Sequence, residues 1–106
     1  MTDFTNKLKV TITEGKKNDA GKTRYDLVLP EFEEEVAKVL TFGAETYGDN
    51  NWQSVENFEN RYYAALRRHI AAWRMGEEKD PDSGLSHLAH AACNLMFLMH
   101  GDKNNV

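Results

Sequence analysis

The sequence has little cysteine, little proline and no long apolar run. Its 106 residues include one cysteine, Cys93, and two prolines. A single cysteine excludes an intramolecular disulfide framework and is typical of a reducing compartment. No apolar segment reaches the roughly 20 residues that a membrane-spanning helix needs, and the opening residues MTDFTNKLKV lack a secretory-signal pattern. We therefore expect a cytoplasmic protein that has no membrane partner.

Positive charge is also in short supply. The chain carries 13 Lys and Arg against 17 Asp and Glu, which gives a formal net charge of −4. Proteins that bind DNA or RNA usually present a basic face, so this balance argues against a nucleic acid polymer as the partner. Charged small molecules remain compatible with the composition.

Hydrophobic periodicity predicts an all-α fold, a small bundle of three main helices with an extended N-terminal arm. The helices are expected at about 30–47, 55–75 and 83–100. The expected division of the chain is an arm at 1–24 with one strand-like alternation at 8–12, a helical domain at 25–100 and a tail at 101–106. A chain of this length buries only about two-thirds of its unfolded surface. We therefore expect assembly into a homodimer or homotetramer.

The third predicted helix carries a polar stripe on an otherwise apolar surface. In GLSHLAHAACNLMFLM, residues 84–99, the side chains of His87, His90 and Asn94 fall within an arc of about 60°, because positions i, i+3 and i+7 share one helical face. The remaining circumference is mostly apolar, which predicts a buried helix. Asp80 or Ser83 is the expected N-cap. Buried imidazoles and amides need partners, which are acids, backbone carbonyls, water or a metal ion.

Several side chains elsewhere are potential partners of this stripe. His69 lies in the apolar stripe of the second helix, although most lone histidines of this kind are satisfied core residues. In the first helix, Glu35 lies at the edge of the apolar stripe with Glu31 beside it, whereas Glu34 points away. Acids in a first turn also favour the helix dipole, which is an equal alternative. The link before the third helix adds acids that could reach its first turn near His87: Glu77, Asp80 and Asp82.

The segment between the first two helices, YGDNNWQS at 47–54, combines turn residues with aromatic and amide side chains. Tyr47, Asn50, Asn51 and Trp52 are of the types that stack on a base and bind its polar edges. An anchored loop with a buried tryptophan is an equally common interpretation of the same residues.

Antiparallel packing of helices joined by short loops would bring these polar groups together in the bundle interior, where bundles build metal and ligand sites. Carboxylates combined with imidazoles are a borderline ligand set, which suits Mn²⁺, Fe, Co or Zn better than Mg²⁺ alone. The residues leave open which of these groups bind an ion and which are structural.

Three longer blocks of the chain are FGAETYGDNNW, RRHIAAWRMGE and DPDSGLSHLAHAACN. Over about residues 21–99 the chain resembles the phage-associated dATP/dGTP diphosphohydrolase family, a branch of the MazG-like all-α nucleoside triphosphate pyrophosphohydrolases. The resemblance implies a helical, oligomeric enzyme that uses a divalent metal, Mg²⁺ or Mn²⁺. The implied reaction cleaves dGTP or dATP between the α and β phosphates to the monophosphate and pyrophosphate. Such an enzyme would act in phage nucleotide-pool metabolism, in the host cytoplasm.

The chain departs from the wider superfamily in its third helix. MazG-like enzymes typically bind Mg²⁺ with an ExxE pair on one helix and an ExxD pair on the next. Here Glu31 and Glu34 have the ExxE spacing, but His87 and His90 occupy the positions where ExxD is expected.

With this resemblance, the residues sort into three predicted roles. The metal candidates are Glu31, Glu34, Glu35 and Asp80. The catalytic candidates, among which an imidazole would be the general base, are Glu35, His69, His87 and His90. The substrate-binding candidates are the cations Lys22, Arg24, Arg61 and Arg68, the purine-binding residues Tyr47, Asn50, Asn51 and Trp52, and the amide of Asn94.

Two other classes of function fit the same residues. One is a non-catalytic phage helical protein that binds a nucleotide or a host protein. The other is a structural bundle whose histidines satisfy buried carbonyls. Nucleotide binding without hydrolysis would identify the first class, and absence of both metal and nucleotide binding would identify the second.

Overall fold

The computed structural model describes residues 15–104, and these residues form an all-helical fold. The three α-helices are α1 at Pro30–Tyr47, α2 at Phe58–Arg74 and α3 at His87–Asn104. Short 3₁₀ helices at Tyr25–Leu27 and Asn51–Ser54 precede α1 and α2. Within the described range, the sheet-type pairing is limited to an isolated bridge between Lys79 and Ser86. The predicted three-helix all-α fold is confirmed, whereas the strand-like pattern at 8–12 lies outside the described residues.

The bounds of α1 agree with the prediction because local residue types define both ends. Pro30 occupies the first turn, where its missing N–H costs no helical hydrogen bond. At the other end Gly48 has φ +96°, a conformation that favours glycine, and its N–H donates to the carbonyl of Ala44. The start of α2 is later than predicted, at Phe58 rather than 55, since Asn57 is left-handed with φ +53°.

The N-terminus of α3 also lies further along the chain than predicted. The helix begins at His87 rather than at 83 and continues to Asn104 rather than to 100. Its first turn is capped by the Ser86 hydroxyl, which accepts the backbone N–H groups of Leu88 at 3.1 Å and Ala89 at 3.2 Å. The expected caps Asp80 and Ser83 are therefore wrong, because residues 80–86 form a hydrogen-bonded turn instead of helix.

Helix α3 is central to the fold because it packs against both α1 and α2. Val39 of α1 and Ala89 and Cys93 of α3 form the buried core cluster. The Cys93 thiol donates to the carbonyl oxygen of Val36 at 3.5 Å. Burial raises the pKa of Cys93 to about 11, so the thiol stays protonated and packs as a small apolar group.

Among residues 15–104, one side of α3 is exposed. Leu95 is 50% exposed and Met99 is 71% exposed, although the composition of the helix predicts burial nearly all round. On α2, Ile70 and Trp73 are also apolar and are 40% and 42% exposed. Even with these apolar surfaces, no described helix is long and apolar enough to cross a membrane.

Candidate active site

Three imidazoles from two helices meet where α2 packs against the first turn of α3. His69 Nδ1 lies 2.9 Å from His87 Nδ1. The His69 ring also stacks on the His90 ring, with centroids 4.5 Å apart and planes 8° from parallel. His87 is buried, and His69 and His90 are half-buried. The predicted meeting of His69 with the polar stripe of α3 is confirmed.

The link between α2 and α3 brings a polar side chain to each imidazole. Glu77 Oε1 lies 2.8 Å from His87 Nε2, as the expectation that Glu77 reaches the first turn of α3 requires. Ser83 Oγ lies 2.8 Å from His90 Nε2. Asp80 Oδ2 lies 3.8 Å from His69 Nδ1. Each ring nitrogen that faces the link therefore has an oxygen nearby.

Backbone hydrogen bonds hold this link in position. The Asp80 N–H donates to the Leu85 carbonyl at 2.8 Å, and the Gly84 N–H donates to the Asp80 carbonyl at 2.7 Å. The His87 N–H donates to the Glu78 carbonyl at 2.9 Å, which ties the link to the start of α3. Gly84 has φ +72°, a left-handed conformation that a larger side chain would strain. The carboxylates of the link are thus placed by main-chain geometry.

The contacts assign the protons of the imidazole pair. An ionised Glu77 carboxylate can only accept, so the Nε2–H of His87 donates to it. When no ion lies between the rings, Nδ1 of a neutral His87 can then accept the Nδ1–H of His69. Burial, aided by the neighbouring His90, lowers the pKa of His69 from 6.5 to about 4, and burial also lowers the pKa of His90. Both of these rings are therefore neutral near pH 7.

The Asp80 carboxylate remains ionised beside these rings. Burial opposes its ionisation, but the Asp82 N–H, which donates to Oδ1 at 2.7 Å, and the neighbouring imidazoles outweigh burial and lower the pKa of Asp80. One oxygen of Asp80 and one nitrogen from each of His69 and His87 lie within 4.8 Å of one another. Two imidazoles and a carboxylate in such a group are able to bind a metal ion.

A cavity of about 520 Å³ lies beside the imidazoles, bounded by all three helices and the segment that joins α1 to α2. Its volume is within the range of small-molecule sites, about 300 to 1,000 Å³. The lining includes His69, His90 and Asn94. It also includes the four predicted purine-binding residues, Tyr47, Asn50, Asn51 and Trp52. The structure therefore brings the predicted base-binding segment and two of the predicted catalytic histidines into one cavity.

Trp52 is a fixed part of the cavity lining. Its ring stacks on Phe97 of α3, with centroids 4.5 Å apart and planes 20° from parallel. A second contact joins its ring to the His100 ring edge-on, at 5.1 Å between centroids. Trp52 thus anchors its loop on α3, although it is half-buried rather than buried, and its ring also lines the cavity.

Asn94 supplies a buried acceptor to the same cavity. The side chain is 5% exposed, and its Nδ2 donates to the His90 carbonyl at 3.0 Å. No residue in the described part of the chain donates to Asn94 Oδ1. A buried acceptor without a protein partner is available to a ligand atom or a water molecule.

The acids of α1 are not brought to the imidazoles within one chain. Glu31 and Glu34 are exposed, and the Glu35 carboxylate pairs with Lys38 at 3.1 Å. The expectation that Glu31 faces the interior is wrong, because the core contacts of α1 begin beyond its first turn, at Val36. Glu34 lines a second, more open cavity.

The four predicted cations are spread over the surface. Arg24 pairs with Asp26 at 2.7 Å, and Lys22 is exposed nearby in the chain before α1. Arg61 donates to the Glu56 carbonyl at 3.4 Å. Arg68 is exposed on α2. Its positive charge makes a small contribution to the lowered pKa of His69, less than the contributions of burial and of the neighbouring imidazoles. Arg68 is thus the predicted cation whose charge reaches the imidazoles.

Sequence reasoning missed Ser83 as the partner of His90. It assigned Ser83 only as a possible helix cap, whereas its hydroxyl contacts the imidazole. Helical spacing gives no signal for this pair, because Ser83 precedes α3 and only the turn at 80–86 brings its hydroxyl to His90.

Comparison of the sequence with known proteins identifies its family. Residues 13–106 match the family model described as dATP/dGTP diphosphohydrolase, N-terminal. The dATP/dGTP diphosphohydrolase of Salmonella phage PMBT28 is 42% identical over 84 residues, which cover 79% of this chain. The aligned part is 28% of the phage protein, so the chain spans only that share of its relative. No solved structure matches the chain. By the match of its sequence, the chain belongs to the dATP/dGTP diphosphohydrolase family.

Proposed function

We propose that this chain hydrolyses dGTP, dATP or both to the deoxynucleoside monophosphate and pyrophosphate. The observation that carries the proposal is the single cavity that His69 and His90 share with the aromatic and amide residues of segment 47–52. The name of the phage relative provides the substrate class. The chain would act in the nucleotide pool of a phage, in the host cytoplasm, as a MazG-like pyrophosphohydrolase.

The segment 47–52 would hold the purine. Trp52 has a fixed orientation because it stacks on Phe97, so little conformational freedom is lost when a base packs nearby. Asn50 and Asn51 line the cavity and offer amide donors and acceptors to the base edge. Oδ1 of Asn94, to which no residue in the described range donates, would accept from an N–H of the base.

A neutral imidazole at the cavity would be the general base. His90 is the stronger choice, because a pKa of about 4 makes His69 a weak proton acceptor. His90 would accept a proton from a water molecule as the water oxygen attacks the α phosphorus. The bond from the α phosphorus to the oxygen that bridges to the β phosphorus breaks, and pyrophosphate leaves. His87 would position His69 through the 2.9 Å contact between their Nδ1 atoms, while Glu77 holds Nε2 of His87.

The reaction is proposed to require a divalent ion, Mg²⁺ or Mn²⁺. Such an ion, when bound, neutralises phosphate charge and lowers the pKa of a bound water. Asp80 is the predicted metal carboxylate that lies with the imidazoles. The other predicted metal carboxylates are Glu31, Glu34 and Glu35. They could bind the ion, and Glu35 could act in catalysis, only if the first turns of α1 reach the cavity of a neighbouring chain.

The triphosphate would be bound by the predicted cations. Arg68 is the best supported, since its charge acts on His69. The remaining candidate cations would approach the triphosphate from two places. Lys22 and Arg24 lie in the segment before α1, and Arg61 lies near the start of α2.

The proposed enzyme is a homodimer or homotetramer. The uncovered apolar side chains of α3, with Met99 at 71% exposed, support association. The metal role predicted for the acids of α1 would also require such an association, because these acids do not reach the imidazoles of their own chain. A nucleic acid polymer remains an unexpected partner because the net charge is −4.

Direct assay of purified protein tests the proposal. Each of the four deoxynucleoside triphosphates is incubated with Mg²⁺ or Mn²⁺, and pyrophosphate is measured. We expect release from the purine nucleotides, and a large loss in His90→Gln with an unchanged circular dichroism spectrum. Tight nucleotide binding without any product would favour the non-catalytic alternative and overturn the enzyme proposal.

A further inference from the structure

We propose that His69, Asp80 and His87 form a binding site for a transition-metal ion of the Zn²⁺, Co²⁺ and Fe²⁺ class, in preference to Mg²⁺. This inference deepens the proposed function, because it assigns the ion to imidazoles of α2 and α3 rather than to the carboxylates of α1. Its use in hydrolysis rests on the proposed function, whereas the binding of the ion is measured separately.

The geometry of the three groups nearly matches a single ion. Ligand atoms bonded at about 2.0 to 2.2 Å to one ion are at most about 4.4 Å apart. The two ring nitrogens of His69 and His87 are 2.9 Å apart, and Asp80 Oδ2 is 3.8 Å from the His69 nitrogen. The whole set lies within 4.8 Å, so a small rotation of the carboxylate suffices to close it.

Each proposed ligand is oriented by a second group. Glu77 holds the Nε2 side of His87, which leaves Nδ1 of the neutral ring with its lone pair toward the site. Carboxylates that hold the far nitrogen of a histidine ligand are a common feature of metal sites. The Asp82 N–H donates to Oδ1 of Asp80 at 2.7 Å, which orients the carboxylate, and Oδ2 is the oxygen that lies 3.8 Å from His69 Nδ1. His69 is held by stacking on His90.

The ligand types decide which class of ion fits. Imidazole nitrogen suits Zn²⁺, Co²⁺ and Fe²⁺, whereas Mg²⁺ prefers an octahedral shell of oxygen atoms. Two histidines and one carboxylate also leave coordination positions open, as catalytic metal sites do. His69 lines the cavity, so an ion bound to it would lie at the cavity edge.

The rival interpretation is a hydrogen-bonded relay without metal. The His69–His87 contact satisfies both nitrogens when one donates and the other accepts, and Glu77 completes the chain. Both interpretations need Glu77 and His87, but they differ on Asp80. Its oxygen is 3.8 Å from His69 Nδ1, too far for a hydrogen bond, so a relay does not need it.

Metal titration of the chain, after removal of metal with EDTA, separates the two. We expect about one Zn²⁺ per chain by calorimetry, visible ligand-field absorption on Co²⁺ addition, and no displacement by excess Mg²⁺. Asp80→Asn keeps the size of the side chain and should weaken Zn²⁺ binding at least about tenfold. Asp82→Asn removes the same charge from the same link and should bind as the unmodified chain does. Circular dichroism checks that both variants fold.

Absence of Co²⁺ absorption, or Asp80→Asn with unchanged Zn²⁺ affinity, would overturn the metal site. The outcome of the hydrolysis assay is independent of the outcome of the metal-binding experiment. Mg²⁺-supported hydrolysis by a chain that binds neither Zn²⁺ nor Co²⁺ would refute the site and keep the function. Metal binding that depends on Asp80, without any nucleotide hydrolysis, would refute the function and keep the site.

Discussion

The contact between Glu77 and His87 leads to a prediction about stability. His87 is 4% exposed, and its Nε2 lies 2.8 Å from the Glu77 carboxylate. Glu77→Ala would leave a buried N–H without its acceptor, a change that costs about 1 to 3 kcal/mol. Because the Glu77 side chain is 54% exposed, water replaces part of the contact, and we expect about 1 to 1.5 kcal/mol. For a domain of this size that loss lowers the melting temperature by roughly 4 to 10 °C.

The assay is thermal and urea unfolding of EDTA-treated protein, so that bound metal does not contribute. Glu78→Ala is the matched control, because its side chain is exposed and only its backbone carbonyl contacts His87. Glu77→Gln should recover most of the stability, since its amide oxygen still accepts the N–H. Equal stability of the Glu77→Ala and Glu78→Ala variants would refute the assigned role of Glu77.

Three further predictions concern the cavity, the core and the uncovered surface. Trp52→Ala should destabilise the fold by about 2 to 3 kcal/mol in urea unfolding and weaken dGTP binding, whereas Tyr63→Ala on the exposed side of α2 should do neither. Cys93 should react slowly with a thiol reagent in the native state and quickly in denaturant, and rapid labelling of the native protein would contradict its burial. Because burial raises the pKa of Cys93 from 9.0 to about 11, the free energy of unfolding should fall as the pH rises from 9 to 11. Light scattering should give a molar mass of two or four times 12.1 kDa, and Met99→Glu should lower that mass. A monomer at all protein concentrations would refute the proposed oligomer.

Local chemistry explains which parts of the fold could be predicted. The bounds of α1 follow from Pro30 and Gly48, whose backbone preferences act without help from the rest of the chain. The start of α3 could not be found in the same way, because Asp80, Ser83 and Ser86 are all suitable caps. Only the backbone hydrogen bonds of the link, such as Gly84 N–H to the Asp80 carbonyl, decide that Ser86 is the cap.

The candidate site shows the same division. Helical periodicity placed His87 and His90 on one face and His69 in the facing stripe, so their meeting was predictable. Periodicity describes the direction of a side chain around a helix axis but does not say which turn of a neighbour it faces. Glu31 was predicted to lie beside Glu35 near the edge of the apolar stripe, yet it is exposed because the first turn of α1 lies outside the core contacts. That offset along the axis is a property of tertiary packing.

Product analysis in water enriched in heavy oxygen tests the central claim most directly. The purified chain is incubated with dGTP and dATP and a divalent ion, and the products are analysed by mass spectrometry. Attack of water on the α phosphorus predicts labelled dGMP or dAMP and unlabelled pyrophosphate. Labelled pyrophosphate, a diphosphate product, or no product with either purine nucleotide would contradict the proposed reaction.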